Sequence, residues 1–347
     1  MAADPYITTY SQTYSEFGFQ QSKLWQPETL CMTIAGANTA RTAILKIEAC
    51  FPDSIVGFVP DKSKSDLHFI KYSLDLMRDR FMSVSRGATQ DNLGLDKILS
   101  FPILAPTVEE QRRIGAIFAA YDELIENSQR RIKILETMAR GLYREWFVHF
   151  RFPGHENHPR VASTLGEIPH GWEAKMVSDI LTRRTAGVVY RDADAKPEGI
   201  FPVIDQSTNE FLGFHDNEPD HLASVENPLA IFGDHTCKMQ LVIEPFSIGP
   251  NVVPFAASGQ LPTAFVFYAV NSLVQTQEYK RHWSPLNSKE IVVANNELAQ
   301  KFADLIKPML VQQATLRKSI RKLRRTRDLL LPRLLSGQIN VEAAEHV

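Results

Sequence analysis

Ile114-Gly-Ala-Ile-Phe118-Ala-Ala-Tyr121-Asp-Glu-Leu-Ile125-Glu-Asn-Ser128-Gln-Arg-Arg-Ile132-Lys-Ile-Leu135-Glu-Thr-Met-Ala139-Arg-Gly-Leu142-Tyr-Arg-Glu-Trp146 holds two interleaved seven-residue series. One is Ile114, Tyr121, Ser128, Leu135, Leu142; the other is Phe118, Ile125, Ile132, Ala139, Trp146. The same pattern returns near the end of the chain. There the series are Phe302, Met309, Leu316, Leu323, Leu330 and Ile306, Gln313, Ile320, Arg327, Leu334, a constant shift of 188 residues (302 − 114). Sustained spacing of this kind marks a coiled-coil seam. Each helix would be about 50 Å long at 1.5 Å per residue. The plainer alternative is an amphipathic helix packed on a globular core.

The ends of these helices are also written in the sequence. Thr107 with Glu110 three residues on, preceded by Pro106, predicts a capping box. Asn295 or Asn296 predicts the second start. Pro308 is expected to kink the second helix or to end a short first segment, and Pro332 and Gly337 to mark its end. Asp122, Glu123 and Glu126 on the first helix and a basic cluster from Arg317 to Arg327 on the second favour antiparallel packing, position i facing about 448 − i. That register sets Glu123 against Arg325, Glu126 against Lys322, Asp122 near Thr326, and Arg144 against Asp304.

A duplication surrounds the helices. Cys31-Met-Thr-Ile-Ala-Gly36, a polar turn and Ala43-Ile-Leu-Lys-Ile-Glu48-Ala-Cys-Phe51 match Pro228-Leu-Ala-Ile-Phe-Gly233, a polar turn and Gln240-Leu-Val-Ile-Glu244-Pro-Phe246. Each reads as two short strands across a turn, and an apolar helical segment follows, Phe69 to Met77 and Thr263 to Val270. The length of 347 residues suits two or three domains. With 44% hydrophobic and 22% charged residues the composition is that of a soluble globular protein. No apolar stretch is long enough to span a bilayer, and the first residues do not form a signal peptide. Cys31, Cys50 and Cys237 give neither a disulfide framework nor a zinc spacing, so a cytoplasmic location is expected. A net charge of −2 argues against coating DNA by bulk electrostatics while leaving room for local basic surfaces.

Several phrases resemble the specificity subunits of Type I restriction-modification systems, the HsdS family. Phe101-Pro-Ile-Leu-Ala-Pro-Thr-Val-Glu-Glu-Gln111-Arg-Arg-Ile114 resembles the start of that family's central conserved helix, and Ala139-Arg-Gly-Leu-Tyr-Arg-Glu-Trp-Phe-Val-His-Phe150 its end. Leu165-Gly-Glu-Ile-Pro-His-Gly-Trp172 resembles the opening of a target-recognition domain, and Phe201-Pro-Val-Ile-Asp-Gln206 an internal strand of one. Leu329-Leu-Leu-Pro-Arg-Leu-Leu-Ser-Gly-Gln338-Ile resembles the family's C-terminal ending. The resemblance implies an α+β chain in which two α/β target-recognition domains, the first partial, are separated by two long antiparallel coiled-coil helices. The expected divisions are a partial recognition domain over 1–105, a central helix over 106–150, a linker over 151–162, a second recognition domain over 163–294, a C-terminal helix over 295–336 and a tail over 337–347. The first domain is expected to be partial because neither a Gly-Trp opening nor a Pro-Val-Ile strand is found before Cys31.

The resemblance further implies a DNA-reading, non-catalytic subunit. Each recognition domain would read half of a split target on double-stranded DNA. Methyltransferase subunits, two in the family, would dock on the helices, and restriction-translocase subunits would join that core. Side chains that can reach base edges or phosphates in the loops flanking strands are Asn38, Thr39, Arg41, Arg86, Thr89, Gln90 and Asn92 in the first half. In the second half they are Arg183, Arg184, Gln206, Ser207, Thr208, His235, Lys238, Asn287 and Lys289. Each has the plainer reading of a solvated loop residue. Trp146, Phe147, Phe150, Leu330, Leu334 and Leu335 either form the partner-docking surface or close the helix seam and the adjoining cores.

Catalytic motifs are missing. Asn227-Pro228-Leu229 lacks the second proline and the aromatic of an adenine-methyltransferase motif, and no ATP-binding Gly-x-x-x-x-Gly-Lys loop occurs. No catalytic residue, metal or cofactor is expected. Asp234, His235 and Cys237 would be the ligands of a metal-dependent nuclease, but a polar turn between strands explains them more simply. His215 and Asp216 read as a surface pair. A scaffold, or a non-productive competitor that holds methyltransferase subunits without reading a full target, is the alternative function.

Overall fold

The computed structural model describes residues 5–36, 38–85, 93–277 and 280–341. The chain divides into two compact units, residues 1–129 with 318–347 and residues 130–317.

The first unit is built on a buried apolar hairpin. It runs through β1 (Tyr6–Ile7), α1 (Glu16–Gln20), β2 (Leu30–Thr33), β3 (Thr42–Leu45), β4 (Ile55–Phe58), α2 (Leu67–Leu76), α3 (Arg78–Ser85) and α4 (Leu95–Leu99). Every residue of β2 and β3 is buried, as expected of short continuous apolar runs at a sheet centre. The sheet order is β1-β3-β2-β4. β2 pairs antiparallel with both β3 and β4, Cys31 lying opposite Ala43 and Gly57. β1 has no counterpart in the sequence expectations. Pro5-Tyr-Ile supplies a short strand before Cys31, where none is expected, and Tyr6 and Ile7 pair parallel with Ile44 and Leu45. Two residues are too few to show alternation, so only the pairing reveals the strand.

α2 covers this sheet. Asp66 caps it by accepting from the Phe69 N–H at 2.9 Å, and Phe69, Ile70 and Tyr72 join Leu30 and Ile44 in one core. The start of α5 (Val108–Tyr143) closes that core with Ile114 and Phe118. Its capping box forms as expected: the Thr107 hydroxyl accepts from the Glu110 N–H at 3.3 Å, and the Glu110 carboxylate accepts from the Thr107 N–H at 3.1 Å. Gln111 is 2% exposed because its amide ties two loops, accepting from the Asp66 N–H and donating to the Lys64 and Pro106 carbonyls. Gly115 lets α5 approach the α2 cap. A methyl group there would stand 2.2 Å from Asp66 Oδ1. Gly115→Ala is therefore expected to dislodge the cap and destabilise the first unit by about 1–2 kcal/mol, although alanine is the better helix former. Urea unfolding read by Trp25 fluorescence checks this; a gain in stability would refute it.

The second unit contains β5 (Arg160–Ser163), β6 (Gly166–Pro169), β7 (Glu173–Met176), α6 (Val177–Ile180), β8 (Leu181–Arg183), β9 (Phe201–Ile204), β10 (Gly213–His215), β11 (Leu229–Gly233), β12 (Met239–Val242), β13 (Ser247–Ile248), β14 (Val252–Ala257), α7 (Thr263–Val270), α8 (Trp283–Asn287), β15 (Glu290–Val293) and the start of α9 (Asn296–Leu335). Its main sheet has the order β12-β11-β14-β8, antiparallel throughout. The duplication is thus real. β3-β2-β4 followed by α2 matches β12-β11-β14 followed by α7. A smaller sheet, β10-β9-β13, stands beside the repeat, and β9 pairs parallel with β13. The Gly-Trp phrase also has a physical role. Gly171 takes φ of +80°, which favours glycine, and delivers Trp172 against Phe147 at 5.7 Å between ring centres.

The heptad positions behave as a seam: all twenty are buried or half-buried. The two long helices run antiparallel. In the first unit Arg327 Nη1 meets Asp122 Oδ1 at 2.8 Å, and in the second Arg317 meets Glu136 at 2.8 Å. The partner of Asp122 is Arg327, one position beyond the expected Thr326. Asn295 caps α9 by accepting from the Leu298 N–H at 2.9 Å. Pro308 neither ends nor divides α9, which is continuous to Leu335. A proline removes one helix hydrogen bond, and burial of Phe302 and Ile306 before it and Gln313 and Leu316 after it outweighs that loss. Pro332 lies inside the last turn, and Gly337, with φ of +71°, follows the end.

Trp146 and Phe147 lie where α5 widens into π turns over Arg144–Val148. They are 8% and 3% exposed and pack with Tyr143, Trp172, Phe265 and Phe302. Leu334 is 2% exposed in the first unit's core, with Leu330 and Leu335 packed against it, and Phe150 packs on the second unit's core. Trp146, Phe147 and Leu334 are thus buried in these cores, while Phe150, Leu330 and Leu335 are half-buried beside them. Among the described residues no helix is long and apolar enough to cross a membrane.

Candidate nucleic-acid interface

The topology gathers loops at one end of the second unit's main sheet. β11 ends at Gly233 opposite Val252, where β14 begins. β8 runs antiparallel to β14, so its end at Arg183 and the following Arg184, whose N–H bonds the Pro254 carbonyl, point to that same end. The β11–β12 turn, the loop after β9 and the segment before α8 meet there.

Asp234 organises the meeting point. Its carboxylate accepts from the His282 and Trp283 N–H groups at 3.0 and 2.9 Å, and so holds the start of α8. His282 is buried. Its Nε2 accepts from the Gln277 N–H at 3.0 Å, which leaves the proton on Nδ1 to donate to the Asp234 carbonyl at 3.0 Å. Asp234 is therefore a structural residue of the turn, and Cys237, with φ of +54°, helps to reverse the chain there.

Gln206, Ser207, His235 and Lys238 come together here, and the side chain of each makes a hydrogen bond within the fold. The Gln206 side-chain oxygen accepts from the His235 N–H at 3.0 Å, and its carbonyl accepts from the Thr236 hydroxyl at 2.7 Å. Lys238 Nζ donates to the Asp205 and Asn209 carbonyls at 2.9 and 2.6 Å. Burial holds its pKa below the ordinary lysine value. Lys238 thus shapes the 205–209 loop from within rather than extending toward a ligand. Ser207 donates to Asp205 at 2.7 Å, and Thr208 is exposed. His235 Nδ1 contacts the Lys280 carbonyl at 3.1 Å.

Arg183 and Arg184 are exposed. Asn287 is half-buried, its amide donating to the Trp283 carbonyl at 3.0 Å, and Lys289 is exposed just before β15. Sequence reasoning misses Arg281, whose side chain is 76% exposed beside the turn, with Nε 3.8 Å from Asp234. The Lys280-Arg281 pair was the available signal, yet nothing local ties it to a turn some 45 residues earlier. His215 and Asp216 do not form a surface pair. His215 is buried and stacks on Tyr190 at 4.2 Å, and burial holds it below its ordinary pKa of 6.5. Asp216 instead pairs with Lys196 at 2.8 Å.

In the first unit the equivalent turn joins β2 and β3. Asn38 is exposed on it; Thr39 is buried, its hydroxyl donating to the Gly36 carbonyl at 2.7 Å, and drops out as a contact residue. Arg41 is half-buried and lines a cavity. Arg86, Thr89, Gln90 and Asn92 lie outside the described residues.

Comparison with known proteins gives a consistent picture. Residues 3–137 match the family described as the Type I restriction modification DNA specificity domain. The Type I restriction enzyme MjaIX specificity subunit of Methanocaldococcus jannaschii is 24% identical, over 80% of this chain and 70% of that protein. The putative type I restriction enzyme MjaX specificity subunit of the same organism is 25% identical, over 63% of this chain and 54% of that protein. Among solved structures, the S subunit of a Type-I restriction-modification system from M. genitalium superposes with a TM-score of 0.56 at 15% identity, covering 90% of this chain and 84% of that one. The shared fold is one of mixed helix and strand units with two long helices.

Proposed function

We propose, for a chain whose residues 3–137 match the Type I restriction modification DNA specificity domain and whose fold is that of a specificity subunit, that this protein is the non-catalytic, DNA-reading subunit of a Type I restriction-modification complex. The observation that carries this reading is the duplication. Two copies of a three-stranded core with a covering helix each hold a turn between equivalent strands, and each is joined to the antiparallel helices. Such a chain presents two readers, and a bipartite DNA target is the matching ligand.

In this reading the recognition regions extend over 1–105 and 163–294, the helices over 106–150 and 295–336, with 151–162 as linker and 337–347 as tail. Arg183, Arg184, Ser207, His235, Asn287 and Lys289, joined by Arg281, offer donors to phosphates and base edges, with Gln206 and Lys238 holding the loops that present them. Asn38 and Arg41, with Arg86, Thr89, Gln90 and Asn92, do the same in the first half. Two methyltransferase subunits dock on the helices, restriction-translocase subunits join through them, and the complex works in the cytoplasm. Burial of Trp146, Phe147 and Leu334 shifts the docking role to exposed helix positions such as Leu124, Ile134, Met138 and Leu329.

Reconstitution with the methyltransferase subunits tests the proposal. Mapping of methylated adenines is expected to give one split sequence. Arg184→Ala with Arg281→Ala is expected to weaken duplex binding and make its salt dependence shallower, by about one in the slope of log K against log salt for each phosphate no longer bound. Methylation without sequence preference would refute the reading.

A further inference from the structure

A cavity of about 320 Å³ opens in the first unit between the start of β3, the end of α2, the start of α3 and α9. Its charges do not cancel. Two carboxylates face it, and both are engaged. Asp75 accepts from Lys71 Nζ at 2.7 Å and from the Thr42 hydroxyl at 2.5 Å. Asp328 accepts from Arg327 at 3.0 Å, and Arg327 is also bound by the buried Asp122 at 2.8 Å. Tyr72, on the same wall, donates its hydroxyl to Asp122. Every one of these groups has a counter-group inside the fold.

Among the described residues Arg41 and Arg78 do not. Both line the cavity, and in each the Nε is buried with no acceptor. Among the described residues neither guanidinium is joined to a carboxylate. A buried donor without an acceptor is uncommon, and each of these belongs to a half-buried arginine that borders the cavity. Two of them bordering one cavity form a place prepared for an anion.

We propose that this cavity is an oxyanion site that takes a phosphate group between Arg41 and Arg78. The guanidinium fork matches the oxygens of a phosphate, and charge-assisted bonds of this kind are the strong ones. Two forks suit a tetrahedral phosphate, which presents its oxygens in more than one plane, better than a planar carboxylate, which one fork satisfies. The volume is about that of ten water molecules at roughly 30 Å³ each. That is ample room for a phosphate group. The phosphate comes either from a DNA backbone or from a free small anion. The inference rests on the cavity alone and stands or falls separately from the DNA-reading proposal.

Inorganic phosphate is the probe, with the full-length chain. Calorimetric titration is expected to show saturable binding absent from sodium chloride of equal ionic strength. Phosphate is also expected to raise the unfolding temperature where chloride does not. Arg41→Gln and Arg78→Gln should each weaken phosphate binding about tenfold or more, and the double variant should lose it. No saturable binding to the wild-type chain, a result that needs no variant, would overturn the site. So would a double variant, folded by circular dichroism, that binds phosphate as the wild type does. A labelled duplex then identifies the source. Competition between phosphate and duplex, with weaker duplex binding by Arg78→Gln, supports a backbone phosphate in the site. Unchanged duplex binding by Arg78→Gln, with phosphate binding weakened, supports a free anion.

Discussion

Asp122→Ala is expected to destabilise the first unit by about 3–5 kcal/mol, the usual cost of removing one partner from a buried ion pair. Asp122 is 1% exposed and accepts from both the Tyr72 hydroxyl and Arg327 Nη1. Its removal leaves a phenol with only the Phe118 carbonyl at 3.4 Å, and a guanidinium, 22% exposed, that keeps only the neighbouring Asp328. The pair itself contributes much less than this, because desolvating two charges offsets most of their attraction. Asp122→Leu combined with Arg327→Leu is therefore expected to be far milder than Asp122→Leu alone. Urea unfolding followed by Trp25, the tryptophan of the first unit, measures both. If Asp122→Ala lies within about 1 kcal/mol of wild type, the pair does not hold the helices as described.

Phe302→Ala should cost the second unit a comparable amount, about 3–5 kcal/mol. Phe302 is wholly buried and meets Tyr143, Trp146, Phe147 and Tyr268 at ring-centre distances of 5.8, 6.4, 5.3 and 5.6 Å. It locks the beginning of α9 onto the end of α5. An alanine would open a void among rings that stiff helices hold in place, so little collapse is expected. Phe302→Leu fills most of that volume and should cost less than half as much. Urea unfolding by the fluorescence of Trp146, Trp172 and Trp283, with near-ultraviolet circular dichroism for ring packing, reads the effect. An unchanged midpoint for Phe302→Ala would contradict the packing described.

The helices were legible in the sequence because their signals are local and repeated. A heptad recurs every seven residues, and the Thr107–Glu110 box spans three. Antiparallel pairing was legible as well, since opposite charges sit on opposite helix halves, though the pair that forms, Asp122 with Arg327, has its acid fully buried rather than at the surface. The meaning of Pro308 was not legible, because whether a proline breaks a helix depends on what holds each side of it. The candidate interface was readable only as a set of loops. Lys238 and Gln206 look like free polar groups in the sequence, and the fold turns both inward to shape the loops, while Arg281 moves into the group from a distant segment.

By itself, the sequence determined the two long helices, their caps, their direction and the repeated strand-turn-strand units. Each of these rests on periodicity or on groups a few residues apart, where chain geometry alone brings the partners together. Only the tertiary structure decided that Trp146, Phe147 and Leu334 are core, that β1 joins the first sheet, and that Arg41 and Arg78 border one cavity without a carboxylate partner among the described residues. Burial and charge balance depend on neighbours that are remote along the chain, and no spacing rule records which of them the fold will bring close.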